Sequence, residues 1–261
     1  MRKPYVLRSE KLACPHGFST RIGGVSSGIY ESLNLGRIDT LGDDPALVAE
    51  NWRLFGEAVG IDTSRFVHGK QVHGNTVRIA AREDAHGICD LSPIEADGYV
   101  TNLPGLPLAV FTADCVPLLM HAPRAGVIAA VHCGWKPTAA DIMQKAVVAM
   151  ASLGAEPSDI RAAVGPCIRR CCFQTGPEVP AAMEAMLASG AEGLYEPDPA
   201  EAGKFRMDLP GTVVRRLTEL GVRPENIDDI RECTMCAPET YWSHRSMGMR
   251  RGSQASVIML E

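Results

Sequence analysis

Apolar positions along the chain recur with two different periods, and the changes of period mark off short strands and helices. Leu47, Val48, Trp52, Phe55 and Val59 repeat at helical spacing. Asp44 and Pro45 supply an N-cap and a first helical position, and Gly60 a stop, so a helix is predicted between them. Phe66–Val67–His68 and Thr76 to Ile79 read as strands on either side of a glycine-bearing turn. Leu108–Phe111, Val116–Met120 and Val127–Val131 are β-prone runs separated by short breaks of Asp, Pro and Gly, as expected of a sheet core. Pro137 opens a predicted helix through Ile142, Val147 and Met150 to Gly154. Ile160–Val164 reads as a strand and Val179–Leu187 as a helix. Asp208 caps a further helix through Val213, Val214, Leu217 and Leu220, and Ile227–Ile230 and Ser256–Leu260 complete the strands.

Hairpin-like spacings mixed with crossover helices predict an α+β fold, with mixed β-sheets flanked by helices. No repeat, low-complexity tract or long linker interrupts the pattern, so one domain over residues 1–261 is expected. A chain of this length buries roughly 70–75% of the surface of its unfolded form, enough for a substantial core. Residues 16–36 are the exception to regular patterning. Their five glycines and many hydroxyls suggest backbone brought close to a ligand.

Charge narrows the partners. Lys and Arg total 26 against 31 Asp and Glu, which gives no electrostatic reason to expect a nucleic acid. The most apolar stretch, Leu106 to Met120, contains Asp114 and two prolines and falls short of the ~20 residues that span a bilayer. Met1 to Lys3 followed by Tyr5–Val6–Leu7 lacks the apolar run of a secretory leader, so a cytoplasmic location and no membrane partner are expected. Nine cysteines are then read as thiols, not as a disulfide framework. Cys14 and Cys89 read as small packed hydrophobes. The other seven sit at element ends beside Gly, Pro, Asp or His.

Three islands carry candidate chemistry: QVHGN at 71–75, TADCVP at 112–117 and VHCGWKP at 131–137. Each sets a His or Cys at or just after a predicted strand, beside a residue that bends the chain. The intervals from His73 to Cys115 and on to His132, 42 and 17 residues, match no local zinc motif, and packed histidines remain an alternative. A soft thiolate with two imidazoles is nevertheless a sensible Zn²⁺ set, and three protein ligands leave a position open.

These islands, with STRIGGVS–SLNLG, GPCIRRCCFQTG and the late CTMC–YWSHR segment, resemble the multicopper polyphenol oxidase-like (laccase-domain) family. Its members are variously described as purine nucleoside phosphorylases and as peptidoglycan editing factors. The resemblance runs from about Gly17 to Arg250. It implies that His73, Cys115 and His132 bind one zinc ion and serve catalysis. It also implies α/β/β/α layers likened to cysteine hydrolases, in which Cys115 and His132 would instead be a nucleophile and its base. Arg21, Asn34, Arg245 and Arg250 resemble family positions around the cleft. Where the family has Ala-Gly-Trp-Arg-Gly, this chain has Cys133–Gly134–Trp135–Lys136–Pro137. Lysine keeps the positive charge but not the forked donor geometry of arginine, so Lys136 remains a candidate phosphate contact, helped if Pro137 opens a helix towards the site.

The resemblance implies phosphorolysis of adenosine and related nucleosides, with adenosine deamination as a side activity. Deamination asks for a proton-transferring group, for which Asp114, Glu95 and Asp97 are candidates. Two alternatives stay open. One is an amidase acting on peptidoglycan precursors; the other is polyphenol oxidation, which sits poorly with seven histidines in all. Cys171, Cys172, Cys233 and Cys236 raise a second-metal reading through the CxxC spacing. Against it, adjacent Cys171 and Cys172 are expected to diverge and the family pattern calls for one zinc, so packing near the pocket floor is preferred.

Overall fold

The structure, a computed structural model, describes residues 3–37, 42–90 and 92–261. The first two residues, used in reading the N-terminus, lie outside them. The strands are β1 (Val6–Leu7), β2 (His16–Ser19), β3 (Phe66–Val67), β4 (Val77–Ile79), β5 (Ala85–His86), β6 (Gly98–Thr101), β7 (Leu108–Thr112) and β8 (Val116–Ala122). They continue with β9 (Val127–Cys133), β10 (Arg161–Val164), β11 (Gln174–Thr175), β12 (Tyr195–Pro197), β13 (Phe205–Met207), β14 (Ile227–Asp229) and β15 (Gln254–Ile258). The helices are α1 (Pro45–Val59), α2 (Trp135–Ala139), α3 (Ile142–Ser152), α4 (Glu178–Met186), α5 (Leu209–Glu219) and α6 (His244–Met247).

Two six-stranded sheets have the orders β1-β2-β15-β7-β3-β5 and β14-β10-β8-β9-β6-β4. Both are mixed: β3 runs parallel to β7, and β10 and β6 run parallel to β14 and β4, while the remaining pairs are antiparallel. A small antiparallel sheet, β11-β13-β12, lies apart from them.

Side-chain alternation stacks these sheets. Leu108 and Val110 of β7 enter a core that also holds Leu119 of β8, Ile128 and Ala130 of β9 and Ala163 of β10. The intervening residues, Ala109 and Phe111, pack with Val48, Trp52 and Phe55 of α1. On the second sheet, Leu118, Met120, Val127, Ala129 and Val131 pack against Met143, Val147 and Met150 of α3 and Val213 and Leu217 of α5. Strand residues two apart share a face, so three separate cores define four layers: helix, sheet, sheet, helices. The protein is a single α+β domain of mixed sheets flanked by helices, in the expected α/β/β/α order. Trp52 also stacks on Phe66 at a centroid distance of 4.2 Å, locking α1 to the first sheet.

Local signals set most boundaries. Asp44 accepts the Ala46 N–H as N-cap of α1, and Gly60 closes it at φ 74°. The helix expected from Pro137 to Gly154 is instead two. α2 begins at Trp135, and the chain turns at Asp141, which adopts φ 57° and accepts the Gln144 N–H to cap α3. Arg216 of α5 holds this break through a 2.6 Å ion pair to Asp141.

The early glycine-rich segment begins with a regular element. His16–Ser19 is a buried strand, and a Cβ on Gly23 would lie 2.5 Å from the backbone of Lys3 and Pro4. No helix among the described residues is long and apolar enough to cross a membrane.

Candidate metal centre

Two of the places where the chain crosses from the first sheet to the second are neighbours: between β3 and β4, through His73, and between β7 and β8, through Cys115. His132 lies near the end of β9, beside both crossings. Gln71 fixes the first one by imitating a strand. Its amide donates to Phe111 O at 2.8 Å and accepts from Phe111 N at 2.7 Å. The fully buried Asp97 carboxylate then accepts the backbone N–H groups of Val72, His73 and Gly74 at 3.2, 3.1 and 2.9 Å. These bonds hold His73 at φ 58°, a left-handed conformation uncommon outside glycine.

Asp97 has a second task. Its Oδ1 lies 2.7 Å from Nδ1 of His132, and because a carboxylate only accepts, Nδ1 carries the proton. Nε2 is thereby left to face Cys115. The donor atoms of His73, Cys115 and His132 all lie within 4.8 Å of one another. Cys115 Sγ is 4.0 Å from His73 Nε2, and the two imidazoles stand at 88°. A tetrahedral zinc holds sulfur and nitrogen ligands roughly 3.5 Å apart, close to this spacing.

Gly134 completes the cradle. A Cβ there would lie 3.1 Å from Cys115 Sγ, 3.2 Å from His73 Cδ2 and 3.6 Å from His132 Cε1. The three side chains thus converge on a space that only glycine leaves open. Donor set, spacing and cradle fit one metal ion, with Asp97 orienting a ligand as outer partners of metal-bound histidines do.

Without a metal the same groups form an ion pair. Burial would raise the Cys115 thiol, but the His132 charge and hydrogen bonds from His132 and His73 bring it down to about 6. Burial would likewise lower His132, yet the Cys115 thiolate and Asp97 push it up to about 9. Asp97 itself is opposed by burial and held below the usual carboxylate range by His132 and by the Gly74 and His73 N–H groups.

None of the expected proton-transfer candidates is free for that task. Asp97 is engaged as described. Asp114, at φ 87°, accepts the Thr234 and Ser243 hydroxyls at 2.6 and 3.1 Å and the Arg245 N–H at 2.6 Å. Glu95 is exposed and pairs with Lys70 at 3.1 Å.

A pocket of about 600 Å³ opens beside His73 and Cys115. Lys136, Arg245 and Asp114 line it, together with three groups that sequence reasoning missed: Glu178, Lys204 and His244. The one signal for any of these was His244, adjoining Arg245 in YWSHR; Glu178 and Lys204 come from segments without a motif. Arg245 donates to Gln174 O at 3.0 Å and sits 5.5 Å from the Phe173 ring centroid. Lys136 lies 5.7 Å from the Trp135 ring centroid.

Arg21 and Asn34 are not brought to this pocket. Arg21 stacks 3.9 Å over Trp242, donates to Pro238 O at 2.8 Å, and lines a separate cleft with Gly23, Gly24 and Glu31. Asn34 is fully buried, donating to Asp43 and accepting the Gly36 and Ser253 N–H groups. Arg250 is exposed and outside the pocket lining.

Fold and site together define a two-sheet α+β protein with a candidate mononuclear metal centre where the sheets exchange strands. Residues 15–261 match the family described as multi-copper polyphenol oxidoreductase laccase, and the chain belongs to it. A purine nucleoside phosphorylase of Deinococcus radiodurans is 39% identical over 98% of this chain and 92% of its own length. The purine nucleoside phosphorylase Rv2149c of Mycobacterium tuberculosis is 38% identical over 93% and 90%. Among solved structures, YlmD of Geobacillus stearothermophilus superposes with a TM-score of 0.91 at 29% identity, over 100% of this chain and 97% of that one.

Proposed function

We propose that the protein is a zinc-dependent purine nucleoside phosphorylase acting on adenosine and related nucleosides, with adenosine deamination as a slower side activity. The observation that carries this reading is the joining of the His73–Cys115–His132 cradle to a pocket bearing Lys136, Lys204 and Arg245. The relatives named as purine nucleoside phosphorylases support it.

In phosphorolysis a phosphate oxygen forms a bond to C1′ of the ribose as the C1′–N9 bond breaks. The bonding electrons leave with the purine, which takes up the proton that the attacking hydrogen phosphate gives up. Lys136, Lys204 and Arg245 give the pocket the charge to hold the phosphate dianion. They can also set one of its oxygens in line with the leaving base, which converts binding energy into orientation. The Phe173 ring offers an apolar face for the purine, and Glu178 a carboxylate for ribose hydroxyls or a base N–H. His73, Cys115 and His132 would hold the zinc, which would supply Lewis-acid polarisation of a reactant oxygen.

The test is incubation of pure, metal-verified protein with adenosine, with and without phosphate, followed by separation of products. Adenine that appears only with phosphate supports phosphorolysis. Inosine formed equally in both makes deamination the main reaction, and neither product from any purine nucleoside tried overturns the reading.

A second reading has its own observation. Cys115, His132 and Asp97 are linked in series, the order of a cysteine nucleophile, its base and an orienting carboxylate. That arrangement favours an amidase, of the kind that would act on a peptidoglycan precursor, over an oxidase. Among the described residues only two His/Cys clusters converge, and one is all cysteine, a poor donor supply for several copper centres.

A further inference from the structure

Cys171, Cys172, Cys233 and Cys236 bring their four Sγ atoms within 4.8 Å of one another. Cys236 Sγ lies 3.6 Å from Cys171 Sγ and 3.3 Å from Cys172 Sγ. Neighbouring side chains diverge on a strand, which is why Cys171 and Cys172 were expected to part. Here they lie in a tight turn, where the N–H groups of Cys172 and Phe173 both reach Arg169 O at 2.9 Å. The turn lets two adjacent thiols face one point.

Backbone pairing brings the other two thiols to that point. Cys167 and Cys233 form a parallel bridge, with Cys167 N–H donating to Glu232 O at 3.3 Å and Thr234 N–H to Cys167 O at 3.1 Å. The Cys233–Cys236 segment then brings both of its thiols to the same point as Cys171 and Cys172. Arginine side chains steady the same turn, Arg206 donating to Cys171 O at 2.7 Å and Arg245 to Cys172 O at 3.4 Å.

We propose that these four cysteines form a second metal site, closed and structural, binding one thiophilic divalent cation, for which zinc is the probe. A tetrahedral Zn²⁺ with Zn–S bonds of about 2.3 Å holds its sulfurs about 3.8 Å apart, near the separations in the cluster. A multi-iron cluster encloses bridging sulfides and needs a wider cage. Binding releases the protons of the thiols and leaves a zinc tetrathiolate with two negative charges. The site is independent of the catalytic reading, but it touches the same pocket. Thr234, between Cys233 and Cys236, bonds to Asp114, and the turn carrying Cys172 continues into Phe173 and Gln174 of the pocket wall. The ion would therefore staple two loops behind the pocket.

The experiment separates the two sites by emptying the first. Cys115→Ser protein, purified under reducing conditions without added metal, should retain about one zinc per chain. Its X-ray absorption should fit four sulfurs at about 2.3 Å and no nitrogen. A Cys171→Ser/Cys236→Ser double variant, changing the two exposed thiols, should lose this zinc while keeping the one that depends on Cys115. If Cys115→Ser does not fold, the wild-type spectrum decides: two filled sites give a sulfur-rich average, one gives a nitrogen-rich shell. No metal in Cys115→Ser, a disulfide between Cys172 and Cys236, or iron with acid-labile sulfide would each overturn the proposal. Failure of phosphorolysis would leave these metal counts unchanged.

Discussion

Asp97 Oδ1 and His132 Nδ1 are 2.7 Å apart in a fully enclosed contact, and the same carboxylate gathers three consecutive N–H groups of the loop that presents His73. One buried side chain thus positions two of the three candidate ligands. Asp97→Asn is expected to keep the fold and to lower zinc affinity by about 10–100-fold, the usual cost of losing an orienting partner. Asp97→Ala strands both the imidazole and the N–H groups and should cost roughly 3–5 kcal/mol, readable by urea unfolding. Because the folded Asp97 is held below the usual carboxylate range, its contribution is complete above the unfolded carboxylate pKa and fades as pH falls through the folded one. Acid should therefore destabilise the metal-free wild type more than metal-free Asp97→Asn.

Gly134 is required for space, not for backbone freedom, since its φ of −65° suits any residue. Gly134→Ala should leave the melting temperature of the metal-free protein within a few degrees while displacing metal, because the new methyl would lie 3.1 Å from Cys115 Sγ. Metal content and thermal melting measured on the same sample check this. Full zinc with normal affinity would mean the ligands converge elsewhere.

Thiolate chemistry offers a pH test on metal-free protein. With the Cys115 thiol brought down to about 6, its alkylation rate should rise through a midpoint near that pH, well below an ordinary cysteine. Bound zinc should protect it. Asp97→Asn should move the midpoint upward, since a less stabilised imidazolium stabilises the thiolate less.

Much of this organisation was legible in the sequence, and the exceptions have physical causes. Asp44, Pro45 and Gly60 bracket α1 because capping is local chemistry. Strands β7, β8 and β9 stood out because each is buried on both faces and reads as a continuous apolar run. The break at Asp141 did not, because its partner Arg216 lies 75 residues away. β11, β12 and β13 are two or three residues long and partly exposed, too short for any period to register. At the site, His73, Cys115 and His132 were visible through their motifs. The positioning role of Asp97 was not, since nothing local to residue 97 announces a partner at 132.

Cations divide by location. Lys136→Ala and Arg245→Ala should each raise the phosphate KM about tenfold or more, with a smaller effect on the nucleoside KM, as expected when a charge-assisted contact worth roughly 1.5–3 kcal/mol is lost. Arg21→Ala should leave phosphate dependence unchanged, because Arg21 lies in another cleft against Trp242. Asn34→Ala should act through stability alone, costing about 1–3 kcal/mol for its buried, unmatched partners. Steady-state kinetics at varied phosphate distinguish these cases, and an Arg21→Ala enzyme with a raised phosphate KM would return that residue to the active site.

The most direct measurement follows phosphorus during adenosine turnover by wild-type and Cys115→Ala protein, purified side by side. Phosphorus NMR should show ribose 1-phosphate growing as inorganic phosphate declines in the wild type, with matching release of adenine, and no such signal in the variant. An equal rate in both proteins would locate the activity away from His73, Cys115 and His132. No ribose 1-phosphate from zinc-loaded wild type, with adenosine, inosine or guanosine, would contradict the phosphorylase account itself.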